Sequence, residues 1–374
     1  MNLEERIGRN MKTIREIGSE FWTGCTPHSN EVYSMRPERI YKQPPYKVVE
    51  TLSGRTALEH IVEILVKQGK RTAYLPSYCC HTMIEPFMSH GMEVHFYDVE
   101  IMEFGLHRLV EESVEYDTIL LMDYFGHTDT ETFEIASKEK QKEKTVIYDA
   151  THSLYSLINT TPYDFIYGSY RKWVDINCGF LAWKEDLRTG EITQNGDEGD
   201  YARKRQLLFD MKASFMGGGS VEKKDFLPLI NDAESILENQ YHHQLPDKRS
   251  MEVLRTTDAT FMKHRRIENA KVLTEGLNSL NNPRVWCLNP LLNANDVPLF
   301  VPIIVAIGHR DKLRQFLIEK EIYCPVHWPK SDIHKRLKGS ELLFECELSL
   351  ICDQRYDKYD MARIVDTIGG YLIQ

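Results

Sequence analysis

The chain has 374 residues and a formal net charge of −10 at pH 7, with 42% hydrophobic and 27% charged residues. This balance is ordinary for a globular enzyme and excludes a disordered chain, and the length allows one large domain with a smaller one beside it. The acidic balance argues against a general nucleic-acid surface, because phosphate binding requires a basic face.

The beginning of the chain bears on the compartment of the protein. Met1 to Glu20 is charged throughout, and no early apolar run has the length of a signal or membrane segment, so a cytoplasmic protein is expected.

The eight cysteines form no C-x-x-C pair, and several lie in apolar runs, which favours buried thiols over a disulfide framework. A metal site at Cys79, Cys80 and His81 is disfavoured because adjacent side chains on a strand point to opposite faces. No metal is expected.

The chain divides into three parts by pattern. Residues 1–48 are polar, aromatic-rich and weakly periodic, which indicates an N-terminal arm with a short helix over Leu3 to Ile17. Residues 49–255 alternate short apolar runs with segments of helical spacing, which predicts a large α/β domain with a mostly parallel, seven-stranded type of sheet flanked by helices. Residues 256–374 predict a smaller C-terminal α+β domain.

The predicted elements follow the apolar periodicity in chain order. In the large domain the predicted strands begin with Tyr74-Leu-Pro and continue with Val94 to Tyr97, Thr118 to Met122, Val146 to Tyr148, Phe165 to Tyr167 and Phe180 to Trp183, the last three as parallel-type strands. Its predicted helices are Leu58 to Val66, a segment ending at Ser89, Leu106 to Val114, Phe133 to Lys140, Arg203 to Phe215 and Leu229 to Leu245. The small domain is predicted to hold helices over Phe261 to Leu280, Arg310 to Glu319 and Met361 to Leu372, and strands over Val297 to Val305, Ile322 to Trp328 and Leu348 to Cys352.

A Ser-Gly turn opens the first predicted helix of the large domain. A helix that begins at Ser53-Gly54 presents free backbone N–H groups and the positive end of its dipole, which is a natural seat for a phosphate. The alternative is that Ser53 is a plain N-cap and Gly54 merely eases the turn.

The segment from Val146 to Leu181 carries the main chemical signal. Asp149 ends one predicted strand, and the next is followed by Ser169 and, three positions later, by Lys172. A carboxylate and a lysine at neighbouring strand ends suit pyridoxal 5′-phosphate (PLP), because the carboxylate keeps the pyridine nitrogen protonated and the amine forms a Schiff base with the aldehyde. The alternative is that Asp149 is a turn residue and Lys172 a solvated surface lysine.

Several short motifs occur in a recognisable order around these residues. Ser53-Gly-Arg-Thr-Ala-Leu precedes Leu75-Pro-Ser-Tyr, Asp123-Tyr-Phe-Gly-His and Asp149-Ala-Thr-His, and Ser169 with Lys172 completes the set. With these motifs the chain resembles the fold type I PLP enzymes and, within them, the DegT-like nucleotide-sugar aminotransferases. The resemblance covers most of Leu52 to Lys184 and is looser over the last hundred or so residues.

The resemblance implies a role for each matched residue. Lys172 would be the Schiff-base lysine and the acid–base group, Asp149 the partner of the pyridinium, and His152 a neighbour of the ring hydroxyl. The phosphate would be held by Ser169 and by the backbone of Gly54, Arg55 and Thr56. The residue that stacks on the ring in the family falls at Cys80 here, with Tyr78 and His81 nearby. Burial beside Arg171 is expected to lower the pKa of Lys172, as its chemistry requires.

The chain departs from the family's usual pattern at three points. The spacing of three between Ser169 and Lys172 is shorter than the family's five, the glycine run after the lysine is reduced to Asn177-Cys178-Gly179, and the mid-chain Gly-x-Asn-x-Arg segment has no clear match.

Three residues are candidates for contact with the substrate. Arg171 and Arg355 are candidates for binding a substrate carboxylate because a guanidinium pairs with a carboxylate in two places. His327 is a third candidate, on a small-domain segment that resembles one facing the cofactor cleft.

These observations predict a cytoplasmic, homodimeric, PLP-dependent aminotransferase. It would move an amino group from a glutamate-like amino-acid donor to a keto or aldehyde acceptor, with a nucleotide-linked keto sugar as one acceptor class. The alternatives are a PLP-dependent lyase, racemase or condensing enzyme on the same fold, and a non-catalytic scaffold derived from it. The expected partners are small molecules, with no nucleic acid and no membrane.

Overall fold

A computed structural model describes residues 16–26, 35–37, 40, 46–102, 105–187, 199–334 and 340–373. Most of the predicted arm, including nearly all of the helix predicted over Leu3 to Ile17, lies outside these residues. Ile17 itself belongs to a short strand, β1 (Ile17–Gly18).

The centre of the molecule is an eight-stranded sheet in the order β2-β9-β8-β7-β6-β3-β4-β5. Its strands are β2 (Tyr46–Thr51), β3 (Thr72–Pro76), β4 (Glu93–Met102), β5 (Gly105–Leu109), β6 (Thr118–Met122), β7 (Thr145–Asp149), β8 (Phe165–Ser169) and β9 (Gly179–Lys184). Strands β8, β7, β6, β3 and β4 run parallel, whereas β2, β9 and β5 are antiparallel to their neighbours. In this register Asp149 pairs with Met122 on one side and with Tyr167 on the other.

The fold class is confirmed, with three corrections of detail. The sheet has eight strands in the described chain, because β5 extends its far edge. The run Phe180 to Trp183 is a strand, as expected, but it lies antiparallel to β8. The prediction of a helix over Leu106 to Val114 is wrong, since residues 105–109 form strand β5, which pairs with the end of β4. Burial there alternates along the strand, with Leu106 and Arg108 inside, which is the period of a strand.

Helices cover the sheet and lead to the C-terminal part. They are α1 (Gly54–Lys67), α2 (His81–Ser89), α3 (Thr130–Gln141), α4 (Asp200–Met216), α5 (Lys223–Gln240), α6 (Lys248–Thr256), α7 (Ala259–Leu280), α8 (Arg310–Glu319), α9 (Glu341–Cys346) and α10 (Lys358–Ile373). The helix predicted over Leu229 to Leu245 is α5, which begins earlier and ends at Gln240. In the part of the chain that the structure describes, no helix is long and apolar enough to cross a membrane.

A second, smaller sheet forms near the C-terminus from β10 (Val285–Cys287), β11 (Phe300–Val305) and β13 (Glu347–Ile351). Strand β12 (Ile322–Tyr323) is shorter than predicted and pairs with β1 rather than with this sheet. Helices α7, α8 and α10 contribute Leu273, Leu317 and Ile368 to a core shared with the smaller sheet. The placement of a domain boundary at residue 256 stays a prediction.

Candidate active site

The parallel strands of the large sheet deliver polar segments to one edge. Residues 77–80 follow β3, and residues 123–127 follow β6. The other two segments, 149–152 and 169–172, begin with the last residues of β7 and β8. Because parallel strands share their carboxyl ends, these four segments meet there. The sequence motifs singled out above therefore converge on one site.

The start of α1 forms a cradle of backbone groups at this edge. Ser53 caps the helix, since its Oγ accepts the N–H of Thr56 at 3.1 Å, and the first helical hydrogen bond runs from Ala57 to Ser53. The N–H groups of Gly54 and Arg55 precede that bond and point out of the helix end. Ser53 is thus an N-cap, and the N–H of Thr56 is engaged in the cap, while the helix itself uses neither the N–H of Gly54 nor that of Arg55.

Glycines bring this helix end against the neighbouring strands. A Cβ on Gly179 would lie 2.4 Å from the backbone carbon of Ser53, and a Cβ on Gly54 would lie 3.2 Å from Cβ of Ser169. Only glycine allows the approach at position 179. The N-terminus of α1 and Ser169 therefore share one small volume, as the resemblance implies.

Asp149 is buried at the end of β7 with both carboxylate oxygens in hydrogen bonds. Its Oδ1 accepts the N–H of Thr151 at 2.8 Å, and its Oδ2 accepts the hydroxyl of Tyr167 at 2.9 Å. Burial raises the pKa of Asp149, while these hydrogen bonds and the charge of Lys172 oppose that rise. A cationic group placed beside Asp149 would be stabilised by it.

His152 offers an unsatisfied donor to the same site. Its Nδ1 accepts the N–H of Phe125 at 3.3 Å, which leaves the proton of the neutral ring on Nε2. Burial and the charge of Lys172 hold the pKa of His152 well below its ordinary range. Its Nε2 is buried and has no hydrogen-bond partner among the described residues. The ring stacks on Trp328, with 5.4 Å between ring centroids.

Lys172 lies at the centre of this electrostatic environment. It ends a short 3-10 turn, Tyr170–Lys172, directly after β8. Burial lowers its pKa, and the positive charge of Arg171 adds to that, while Cys80, Asp149 and Glu234 act in the opposite direction. The expected direction is confirmed, and the amine is accordingly closer to the neutral form that attacks a carbonyl.

The turn that presents Lys172 is held in place by the next residue. The indole Nε1 of Trp173 donates to the carbonyl of Thr151 at 2.8 Å. The carbonyl of Trp173 accepts Nε2 of Gln354 at 2.7 Å and a guanidinium N–H of Arg266 at 3.4 Å. Both partners belong to the C-terminal part, so the position of Lys172 depends on how that part packs against the large sheet.

His327 reaches the site from the C-terminal part. Its ring lies 5.2 Å from that of His152 between centroids, edge to face. Its Nδ1 is hydrogen-bonded to Oγ of Ser349 at 2.8 Å, and its backbone N–H donates to Glu347 at 2.9 Å. Burial and the charges of Lys172 and His152 lower the pKa of His327 well below its ordinary range, so the ring is neutral.

Of the three candidates for stacking on a cofactor ring, His81 is exposed at the start of α2, and Tyr78 and Cys80 lie in different surroundings. Tyr78 is fully buried in an aromatic cluster with Tyr124, Trp328 and Phe344, and its hydroxyl donates to the carbonyl of His327. It joins the two parts of the chain rather than lining a cavity. Cys80 is half-buried, and it lies close enough to Lys172 to act on the pKa of that amine.

The two arginine candidates are committed to protein partners. Arg171 forms an ion pair of 2.6 Å with Glu234 of α5, which raises its pKa. Arg355 binds both oxygens of Asp353, at 2.8 and 2.7 Å, and donates to the carbonyl of Glu20 at 2.9 Å. Arg355 therefore anchors the N-terminal segment, and its role as a substrate contact stays a prediction.

Several residues of the site had escaped sequence analysis. Tyr167, Trp328, Ser349 and Glu347 each contact a predicted site residue. Tyr167 could have been found, because it shares a face of β8 with Ser169 two positions on. Glu347 could also have been noticed, since it is the charged residue that opens the mostly apolar strand Glu347–Ile351.

Comparison with known proteins establishes the fold. No family model matches the chain, and no curated protein does. Among solved structures, DesI in the presence of its TDP-sugar product has a TM-score of 0.62 and 14% identity, covering 90% of this chain and 84% of that one. NtdA from Bacillus subtilis with bound cofactor PMP has a TM-score of 0.61 and 15% identity, covering 87% and 73%. A DegT DnrJ EryC1 StrS aminotransferase from Brucella abortus has a TM-score of 0.56 and 17% identity, covering 91% and 92%. The chain has the fold of these aminotransferases.

Proposed function

We propose that this chain is a PLP-dependent aminotransferase of the DegT-like type. The observation that carries the proposal is the convergence of three residues: the charge of the half-buried Lys172 acts on the pKa of both Asp149 and His152, and Nε2 of His152 is buried without a hydrogen-bond partner among the described residues. A non-catalytic scaffold needs neither a lysine with a lowered pKa nor an unsatisfied imidazole near it.

The residues fit PLP on its three distinct chemical groups. The N–H groups of Gly54 and Arg55 with the hydroxyl of Ser169 suit the phosphate, Asp149 suits the protonated ring nitrogen, and Nε2 of His152 suits the ring oxygen. When bound, PLP supplies an aldehyde that takes up an amine and a ring that accepts electrons. The NtdA structure was solved with the related cofactor PMP, which supports the same assignment.

The protein side of the reaction is a proton transfer by Lys172. Its neutral amine would take the proton from the α-carbon of the donor and deliver it to the cofactor carbon that bears the transferred nitrogen. Asp149 would keep the ring nitrogen of the bound cofactor protonated, and Tyr167 and Thr151 keep the carboxylate of Asp149 oriented. Trp328 of the C-terminal part stacks on the ring of His152 and packs against Tyr78, so it shields this side of the site from water.

The proposed donor is a glutamate-like amino acid, and the proposed acceptor is a keto or aldehyde compound. Among acceptors a nucleotide-linked keto sugar is the first to test, because DesI was solved with its TDP-sugar product. His327 is the candidate for a substrate contact, since it lies beside His152 at the site. Arg171 remains a substrate candidate only if Glu234 releases it. We also propose a homodimer, on the resemblance alone.

A spectrum of the purified full-length chain with added PLP tests the cofactor. We expect a visible absorption band that borohydride removes, and a pyridoxyl group on the peptide that contains Lys172 by mass spectrometry. A Lys172→Ala variant loses both signals, while a Lys184→Ala variant, changed at the far end of β9, keeps them. A native chain with no band in excess PLP would contradict the proposal.

A second experiment separates amino transfer from the other PLP reactions. Addition of glutamate to the loaded protein converts the bound cofactor to its amine form and releases 2-oxoglutarate if the chain is an aminotransferase. A lyase or racemase leaves the cofactor in its aldehyde form. Analytical ultracentrifugation of the same sample tests the homodimer.

A further inference from the structure

A cluster of four histidines and two glutamates lies on α1, away from Lys172. We name it the α1 cluster, and its members are Glu59, His60, Glu63, His90, His242 and His243. Three come from α1, one from the end of α2 and two from the segment that follows α5. Nothing in the proposed amino transfer uses them.

The ligand atoms of this cluster already lie close together. Those of His60, Glu63 and His243 all lie within 4.8 Å of one another, and so do those of Glu59, Glu63 and His90. Nε2 of His243 is 2.9 Å from Glu63, and Nδ1 of His242 is 2.6 Å from Glu59. Ligands of a tetrahedral ion lie about 3.4 Å apart when each bond is about 2.1 Å long, so a small side-chain movement is enough.

Unsatisfied buried atoms mark the same place. Nε2 of His60 and Oε2 of Glu59 are both buried without a hydrogen-bond partner in the described parts of the chain, and both side chains are more than nine-tenths buried. Buried polar atoms without a partner are uncommon in folded proteins and often indicate an unseen ion or water.

We propose that the α1 cluster binds one divalent transition-metal ion through His60, Glu63 and His243. Two imidazoles and one carboxylate are ligands that Zn²⁺ prefers, whereas Mg²⁺ prefers oxygen ligands alone. Glu59 and His90 stand next to Glu63 and can supply the fourth ligand. No sequence motif indicated this site, because His243 lies far along the chain from His60 and Glu63.

The site fastens the segment after α5 to α1. Tyr241 already accepts the hydroxyl of Thr56 at 2.9 Å through its carbonyl, and its ring lies 5.1 Å from the guanidinium of Arg55. A metal bound one turn further along α1 adds a bond between the same two elements. Its role is structural and does not depend on the proposed enzymatic function.

Metal titration of the full-length, untagged chain after chelator treatment tests the proposal. We expect one equivalent of Co²⁺ to give the visible absorption of a four-coordinate site and Zn²⁺ to displace it, while Mg²⁺ has no effect. Zn²⁺ should also raise the melting temperature. His243→Gln and His60→Gln should each weaken Co²⁺ binding at least tenfold.

The controls distinguish this site from general binding by surface histidines. His95 on β4 is paired with Glu93, at 3.5 Å, and does not belong to the α1 cluster, so His95→Gln should bind Co²⁺ like the native chain. Circular dichroism checks that each variant is folded, and the partly exposed His243 is the safer substitution if His60→Gln fails to fold. Absence of Co²⁺ absorption in the native chain, or equal binding by folded His243→Gln, would overturn the proposal.

Discussion

The backbone N–H of His327 donates a hydrogen bond of 2.9 Å to Oε2 of Glu347. The same carboxyl accepts the hydroxyl of Ser349, which in turn contacts the ring of His327. Glu347 is fully buried, and burial raises its pKa to about 8. A single buried acid therefore fixes both the backbone and the ring of the residue that faces His152.

The stability of the protein should fall as pH rises past the ordinary pKa of Glu347. The folded chain keeps a proton on Glu347 from pH 4.5 to about 8, whereas the unfolded chain has lost it. Because the folded state then binds more protons, the free energy of unfolding decreases through this interval, by up to about 1.4 kcal/mol per pH unit. A Glu347→Gln variant lacks this decrease.

Urea denaturation of the native chain and of Glu347→Gln at pH 5.5, 7 and 9 measures the effect. The stability of the native chain relative to the variant should decline by a few kcal/mol across the series. Parallel profiles for the two proteins would show that Glu347 does not titrate in this interval.

Asp149 should matter for turnover more than for cofactor attachment. Asp149→Asn keeps the size of the side chain but removes its charge, so we expect turnover to fall on the order of 10²-fold or more. Covalent attachment of PLP at Lys172 should persist. Tyr167→Phe removes one hydrogen bond to Asp149 and should lower turnover about fivefold. Steady-state kinetics with glutamate, beside borohydride labelling, separates the two effects, and equal turnover of native and Asp149→Asn protein would contradict the assigned role.

Gly179 is predicted to be intolerant of a side chain. The Cβ of Gly179→Ala would lie 2.4 Å from the backbone of Ser53, so the start of α1 must move. We expect a loss of about 1–3 kcal/mol in stability and at least tenfold weaker PLP binding. Gly370→Ala in α10 is the matched control, because its Cβ meets nothing within 4 Å and alanine favours a helix. Thermal melts and PLP titration compare them.

Arg355 should act in stability rather than in substrate binding. Arg355→Ala leaves the buried Asp353 without its partner and releases the carbonyl of Glu20, so we expect about 3–5 kcal/mol of destabilisation. Limited proteolysis should then cut within residues 16–26 faster than in the native chain. The KM for glutamate should stay unchanged. A rise in KM without faster proteolysis would instead restore Arg355 as a contact for the substrate carboxylate.

Local patterns were enough to predict most of the large sheet and the centre of the site. Asp149, Ser169 and Lys172 follow strands whose apolar runs are short and continuous, as in buried parallel strands. Strand β5 was missed because Leu106, Leu109 and Val110 are spaced as on a helix. Arg108 is the buried residue that distinguishes this strand from a helix, and its burial depends on ion pairs with Asp123 and Asp129, which come later in the chain.

The contacts that the sequence did not predict share one physical cause. The contacts of His327, Trp328 and Glu347 with the large sheet join residues far apart in the chain, and no periodicity records them. The same holds for Arg355, whose committed contacts are with Asp353 and Glu20. Residue type showed that a guanidinium was available, but only the fold shows what it binds.

The pairing of β1 with β12 sets an order of events during synthesis. Gly18 donates to the hydroxyl of Tyr356, which lies 338 positions later in the chain. At about 5–20 residues per second, tens of seconds separate the emergence of these two residues from a ribosome. Ile17 and Gly18 have no strand beside them until β12 (Ile322–Tyr323) has emerged, and the hydrogen bond to Tyr356 forms later still. We infer that a chain truncated before Tyr356 leaves this segment exposed to chaperones and proteases.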